Sequence, residues 1–244
     1  MLADALRELA GLRLRDRQGK ERVLELLPPA TEAQLRRIEA ALPCALPGDV
    51  RDALGVAAGL ATSPLESFSL VDLEGFGLDE VFPSPYSVAH DGSGNYWVLD
   101  LLGHSTAWGP VYYACHDPPV IAYQAASVDE FLRDVVAMWQ PGARSAVDLV
   151  HEEIVHRIWR ENPDLVSPAA AARRSDAVLA SFAASLPPDA LIADLRRPAV
   201  GQGFAWGRFG AHTGLRRAGE EPLWALVPPE RKPGFFRRLL GSRP

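Results

Sequence analysis

Between Tyr86 and Leu101, two runs rich in apolar and aromatic residues flank Asp91-Gly92-Ser93-Gly94-Asn95. Two glycines within four residues supply the positive φ of a tight reversal, so the spacing predicts an antiparallel hairpin with strands at 86–89 and 96–101. A hairpin cannot stand alone in water, so further elements must pair with it and cover it. Residues 111–115 and 120–123 supply two more short strands of β-branched and aromatic residues, and one short strand is expected at 68–71. A helix closes this run: Ser127 and Glu130 have capping spacing, and Val128, Phe131, Leu132, Val135 and Trp139 recur on one helical face before Pro141-Gly142.

Upstream, Thr31 and Gln34 form a capping box ahead of Leu35, Ile38 and Leu42, which predicts a helix over 32–42 stopped by Pro43. Pro47 opens a second helix carrying Val50, Leu54 and Ala57 and ending near Gly59. Residues 2–10 read as a short helix, and 12–14 and 22–26 as two strands around Asp16 to Lys20. Beyond 140, Val147, Val150, Ile154, Ile158 and Trp159 mark a helix stopped at Asn162-Pro163. Ser167-Pro168 opens another with Val178, Leu179, Phe182 and Leu186, and a short third helix is expected at 188–197. Residues 204–209 and 223–227 can pair as a hairpin across a Gly- and Arg-rich loop. The expected fold class is α+β: a central, mostly antiparallel sheet packed by helices over 1–140, then a helical extension over 141–244 with room for that hairpin.

The charge is unevenly spread. The net charge is −6, yet residues 31–140 hold 15 acidic and only 4 basic side chains, and no Lys or Arg occurs between Arg51 and Arg133. Glu66, Asp72, Glu74, Asp79, Glu80, Asp91, Asp100 and Asp117 all fall in that interval. Such a segment repels nucleic acid and attracts a basic protein surface, or else is a solvated face that aids solubility. The start of the chain, broken by Asp4, Arg7 and Glu8, lacks a secretory leader pattern, and no apolar run reaches the length of a membrane span. A cytoplasmic protein is expected.

Three groupings invite a catalytic reading. His151-Glu152-Glu153-Ile154-Val155-His156 resembles a zinc-protease helix, but its histidines are five apart, about 140° around an α-helix, where ligation from one face needs four. Cys115-His116-Asp117 joins a thiol, an imidazole and a carboxylate, but neighbouring strand residues point to opposite faces, so Cys115 and His116 cannot pair as nucleophile and base. The Asp91–Asn95 turn lacks the Lys-Ser/Thr of a phosphate loop. Cys44 and Cys115 are too few for a disulfide framework. The basic, aromatic tail from Arg231 to Arg238 is either a solvated terminus or a contact for an acidic or lipid surface.

The order of two helices, acidic loop, glycine-rich hairpin, further strands and capped closing helix resembles the SUKH superfamily. The residues that carry the resemblance are Leu46-Pro47 with Val50 and Leu54, Asp91-Gly92-Ser93-Gly94-Asn95-Tyr96 with Leu99-Asp100, Gly109-Pro110-Val111, and Ser127 with Glu130-Phe131-Leu132, over about 31–139. The superfamily includes bacterial immunity proteins and fungal cell-wall assembly regulators. The resemblance implies a protein-binding domain without a catalytic constellation or cofactor, whose partner is a cognate toxin, a nuclease among the candidates, or a cellular protein to be regulated. The expected partner-binding residues are the carboxylates Glu66, Asp72, Glu74, Asp79, Glu80, Asp91 and Asp117, with Trp108 and Tyr112 as aromatic anchors.

Overall fold

A computed structural model of the chain describes residues 1–229 other than 17, 73–76, 78, 103, 104, 141 and 143. Glu74 and the tail from Arg231 to Arg238 lie outside the described residues. At the front, α1 (Leu2–Leu9) buries Leu2, Ala3, Ala5, Leu6 and Leu9 along one stripe. The hairpin β1 (Arg13–Arg15) and β2 (Glu21–Val23) closes around Asp16, whose carboxylate accepts from the Gln18 and Lys20 amides and pairs with Arg22 at 2.9 Å. α2 (Glu32–Ala41) carries the capping box expected of Thr31 and Gln34. α3 (Gly48–Leu54) follows Pro47 and ends at Gly55, earlier than its spacing predicts. The chain is diverted there into β3 (Gly59–Leu60), where Gly59 has φ 148° and a Cβ would stand 2.3 Å from the Phe68 carbonyl oxygen.

The sheet then grows through β4 (Ser67–Ser69), β5 (Pro85–His90), β6 (Tyr96–Asp100), β7 (Val111–His116) and β8 (Pro119–Ala125). α4 (Val128–Ala137) starts at Ser127, whose hydroxyl accepts from the Glu130 amide, and buries Val128, Phe131, Leu132, Val135 and Val136. Next come α5 (Ala146–Leu149), one π turn (Val150–Ile154) and α6 (Val155–Glu161), ended by Asn162 in the left-handed conformation at φ 44°. Asn162 Oδ1 also accepts from the Ala205 amide, 3.3 Å away.

The last stretch departs from its helical expectation. β9 (Leu165–Val166), α7 (Pro168–Ala171), α8 (Ala177–Ala184), β10 (Leu191–Asp194), β11 (Gly203–Phe204), β12 (Gly214–Arg217) and β13 (Leu223–Val227) follow in turn. The helix expected from Ser167 is split in two, because Asp176 caps a fresh start by accepting from the Leu179 amide. Residues 191–194, expected as helix, are a strand paired on both sides, with β13 and β9. The hairpin partner of β13 is β12, while Phe204 pairs with Ile121 of β8.

Seven antiparallel strands run in the order β11-β8-β7-β6-β5-β4-β3, and four in the order β12-β13-β10-β9. Side chains from α1 to α6 cover one face of the large sheet over Trp97, Leu99, Val111, Tyr113 and Val120. The small sheet covers the opposite face over Val98, Tyr112, Ala114 and Ile121, and α7 and α8 close its own outer side. Along β13 the alternation is visible: Trp224 and Leu226 face the large sheet, Leu223 and Ala225 the helices. Trp224 is the main contact between the sheets, 6.0 Å from Phe82, 6.2 Å from Tyr112 and 5.4 Å from Phe204 between ring centroids, with its indole N–H donating to the Val81 carbonyl. Trp224→Ala should therefore destabilise the chain by about 3–5 kcal/mol. Urea unfolding should still show one transition, coincident by circular dichroism and fluorescence, because the layers share cores; two separated transitions in the wild type would show sheets that fold independently.

Candidate partner-binding face

The β5–β6 turn is built around one carboxylate. Asp91 accepts from the Ser93 amide at 2.8 Å, the Asn95 amide at 3.2 Å and Asn95 Nδ2 at 2.6 Å, while Gly92 and Gly94 take positive φ as the sequence predicts. Three imidazoles from three places on the chain surround this turn. His90 Nδ1 accepts from the Gly92 amide, His116 Nδ1 lies 3.0 Å from Asn95 Oδ1, and His151 Nε2 lies 3.2 Å from Asp91 Oδ2. Because Asn95 Nδ2 is turned to Asp91, its Oδ1 faces His116, so His116 Nδ1 is the donor. His151 reaches Asp91 from the π turn and stacks over Trp97 at 6.3 Å and edge-on to Tyr113 at 5.5 Å. Burial alone would raise the Asp91 carboxyl, but the donors from Asn95, Ser93 and His151 together hold it below the usual carboxylate range.

The neighbouring thiol is not activated. Cys115 is buried on the helix side of β7 and hydrogen-bonded to the Tyr113 hydroxyl, and burial pushes it above the usual thiol range. His116, the next residue, is exposed and turned to Asn95, as strand alternation requires. Among the described residues no group of three or more His, Cys, Asp and Glu could hold a metal ion.

The expected partner-binding residues are dispersed differently from their order in sequence. Glu66 lies over Gly92, so that a Cβ there would meet its Cγ at 3.1 Å, and exposed Asp117 stands in the β7–β8 turn beyond His116. Asp72 is exposed just past β4, while Asp79 and Glu80 are exposed ahead of Val81 and Phe82, which pack into the core between the sheets. Among the described residues none of these five carboxylates forms an ion pair. Asp91 is engaged in its own turn.

The two aromatic anchors need correction. Trp108 is 3% exposed and packs on Tyr86 with centroids 4.6 Å apart, and Tyr112 is fully buried among Phe82, Tyr123 and Trp224. Neither can touch a partner of this fold, because α4 begins against Trp108 and the small sheet covers Tyr112, a cover that strand composition does not announce. Asp100 is likewise enclosed, pairing with Arg217 through both its oxygens at 2.9 and 2.5 Å. The sequence reading passed over the serines at 67, 69 and 87; alternation with Phe68, Tyr86 and Val88 places them on the face turned away from the helices. A separate cleft of about 730 Å³ lies in the extension, lined by Asp164, Arg174, Asp176, Asp194, Arg196 and Glu221 among others. Its central cation, Arg196, is already held by Asp194 at 2.6 Å and Asp176 at 2.7 Å.

Replacing Asp91 by Ala removes the acceptor of this latch and should lower stability at neutral pH by about 1–3 kcal/mol. A carboxyl whose pKa is lowered on folding stabilises above its unfolded value of about 3.9, and that contribution vanishes as pH falls through the folded value. The gap between wild type and variant in urea unfolding should thus close as pH is taken from about 5 to about 2. A gap of constant size would assign the loss to packing.

Residues 29–134 match the family model described as the SMI1 / KNR4 family (SUKH-1). No curated protein and no solved structure matches the chain. The matched span runs from the approach to α2 through the first seven residues of α4, and holds β3 to β8, the latched turn and the exposed carboxylates Glu66, Asp72, Asp79, Glu80 and Asp117. Capped helices, antiparallel strands and family match coincide on the same residues, the part of the chain that is similar to the SUKH superfamily.

Proposed function

We propose that the chain is a non-catalytic immunity protein, which binds a cognate bacterial toxin and neutralises it by occluding its active site. The observation that carries this reading is the set of five exposed carboxylates, without an ion pair among the described residues, in a SUKH-like region whose sequence has no Lys or Arg between Arg51 and Arg133. A nuclease must hold a polyanion with Lys and Arg, so a protein presenting carboxylates to that surface competes with the substrate and associates quickly. The raised Cys115 thiol and the turn-bound histidines support a binding role over a chemical one. The family also supports a second reading, a regulatory or scaffolding module docked on a cellular protein.

Co-expression separates the two. Expressed beside the toxin encoded by a neighbouring gene, the chain should restore growth and co-purify with that toxin in a stoichiometric complex. Protection without a complex overturns occlusion, and a complex without protection favours the scaffold.

If carboxylates guide the encounter, changing Asp72, Asp79 and Glu80 together to Lys should slow association by roughly tenfold or more at low salt, and the wild-type rate should fall as salt rises. Stopped-flow mixing at two ionic strengths measures both, with circular dichroism to confirm folding. An unchanged rate at low salt would return these residues to a solvated face.

A further inference from the structure

The small sheet ends on β12, which pairs with β13 on one side only. The Ala218 amide donates to the Leu223 carbonyl, so alternation directs the backbone groups of Gly214 and Arg216 to β13 and those of Leu215 and Arg217 outward. Among the described residues no hydrogen bond is made by that outward row. Such a row is a template for another strand. Side chains alternate in the other sense: Leu215 and Arg217 face the large sheet, while Gly214 and Arg216 lie on the side of α8, where Arg216 donates to the Ser185 carbonyl. From Ala177 to Ala184, α8 carries one polar residue, Ser181, and Val178 is 47% exposed. A helix apolar on almost every side calls for cover on every side, yet only Leu179 and Ala183 are buried against the small sheet. Asp189 lines the same hollow as Gly214 and Arg216 and forms no ion pair among the described residues.

We infer that β12 pairs antiparallel with β12 of a second copy of this chain about a twofold axis, joining the two small sheets into one. An antiparallel edge is its own complement, so one twofold operation satisfies both copies. The side chains choose the register. An axis at Arg216 would set two guanidinium groups directly opposite each other, which is unfavourable. An axis at Arg217 would need Gly219 to continue the strand, but its φ of 59° turns the chain away. An axis at Leu215 has neither fault. The two Leu215 residues exchange amide-to-carbonyl bonds, and each Arg217 amide donates to the Thr213 carbonyl of the other copy. Arg216 then stands opposite Gly214 of the other copy, the one residue of β12 without a side chain, and its guanidinium meets Asp189 there. The groove between α8 and β12, about 650 Å³ and lined by Val178 and Phe182, lies along the same seam, so pairing also draws the apolar side of α8 out of water. The inference does not depend on the toxin reading.

Analytical ultracentrifugation of the full chain tests this. The mass should rise from that of one chain toward that of two as the concentration is taken from about 1 to about 300 µM. Amide hydrogen exchange at Leu215 and Arg217 should slow over the same range. Leu215→Pro removes an outward amide and leaves the bonds to β13 in place, so it should weaken association at least about tenfold with circular dichroism unchanged. Should that variant fail to fold, because Leu215 also packs into the core, the charge pair decides. Arg216→Asp and Asp189→Arg should each weaken the dimer roughly tenfold, and the double variant should restore it. The mass of one chain throughout overturns the inference. Slow exchange of the two amides in that monomer would then assign the edge to residues 230–244 of the same chain, and fast exchange would leave it to solvent. A dimer indifferent to Leu215→Pro, or to reversal of either charge, places the contact elsewhere and overturns the inference equally.

Discussion

The pair between Arg217 and Asp100 joins the two sheets across 117 residues of sequence, and the arrangement of the other layers follows from it. Both side chains are almost completely buried, at 7% and 5% exposure, so neither ion tolerates the loss of the other. The guanidinium also donates to the Glu220 and Glu221 carbonyls and lies 5.0 Å over the Trp224 ring. Almost every donor it has is directed, so β12 cannot slide along the end of β6 without stranding a charge. Such a pair adds little net stability over an apolar replacement, but it admits one register. With β12 placed, β13 follows by pairing, and Trp224 is delivered onto Phe82 and Tyr112.

Covering one half of the sheet face defines the other half. Residues 29–134 supply β3 to β8, α2, α3 and most of α4, whereas the layer over Val98, Tyr112 and Ile121 comes, apart from Val81 and Phe82, from residues beyond 160. The extension thereby hides the aromatic stretch of β7 and leaves the serine-rich part by β4 and β5, beside the exposed carboxylates. Without such a cover, Tyr112 and Val98 would face solvent, and this side of the sheet would be apolar where it is now covered.

The features legible in the sequence are those settled within a few residues of chain. The Thr31–Gln34 box and the Ser127 cap depend on a side chain meeting backbone close by, and the stop at Asn162 and the reversal at Gly92 and Gly94 on left-handed backbone within the same few residues. What escaped depends on distant partners. Leu191 to Asp194 has no alternation to announce a strand, because both of its faces are packed. Gly203 and Phe204 form too short a strand for any pattern, and their partners, Ala122 and Ile121, lie far earlier on β8. The acidic interval was plain as charge, but composition could not separate Asp100, sealed by a distant arginine, from Asp72 or Asp117, which face water. The same blindness made Trp108 and Tyr112 look available.

The π turn at Val150–Ile154 sits inside a helix tied down at both ends, by His151 to the β5–β6 turn and by Asn162 to the β11 edge. The segment from 151 to 162 is therefore a strut of set length, about 16 Å at the helical rise. A π turn accommodates one residue more than an α turn would, and the flanking stripes of Val147 and Ile158 still enter the same core. Deleting a single residue from the regular helix beyond it, which holds no such extra residue, would rotate one anchorage by about 100° relative to the other. The helix could then keep its grip on the hairpin or on the far edge of the sheet, but not on both, so the count of residues between these two points is as much a part of the design as their identity.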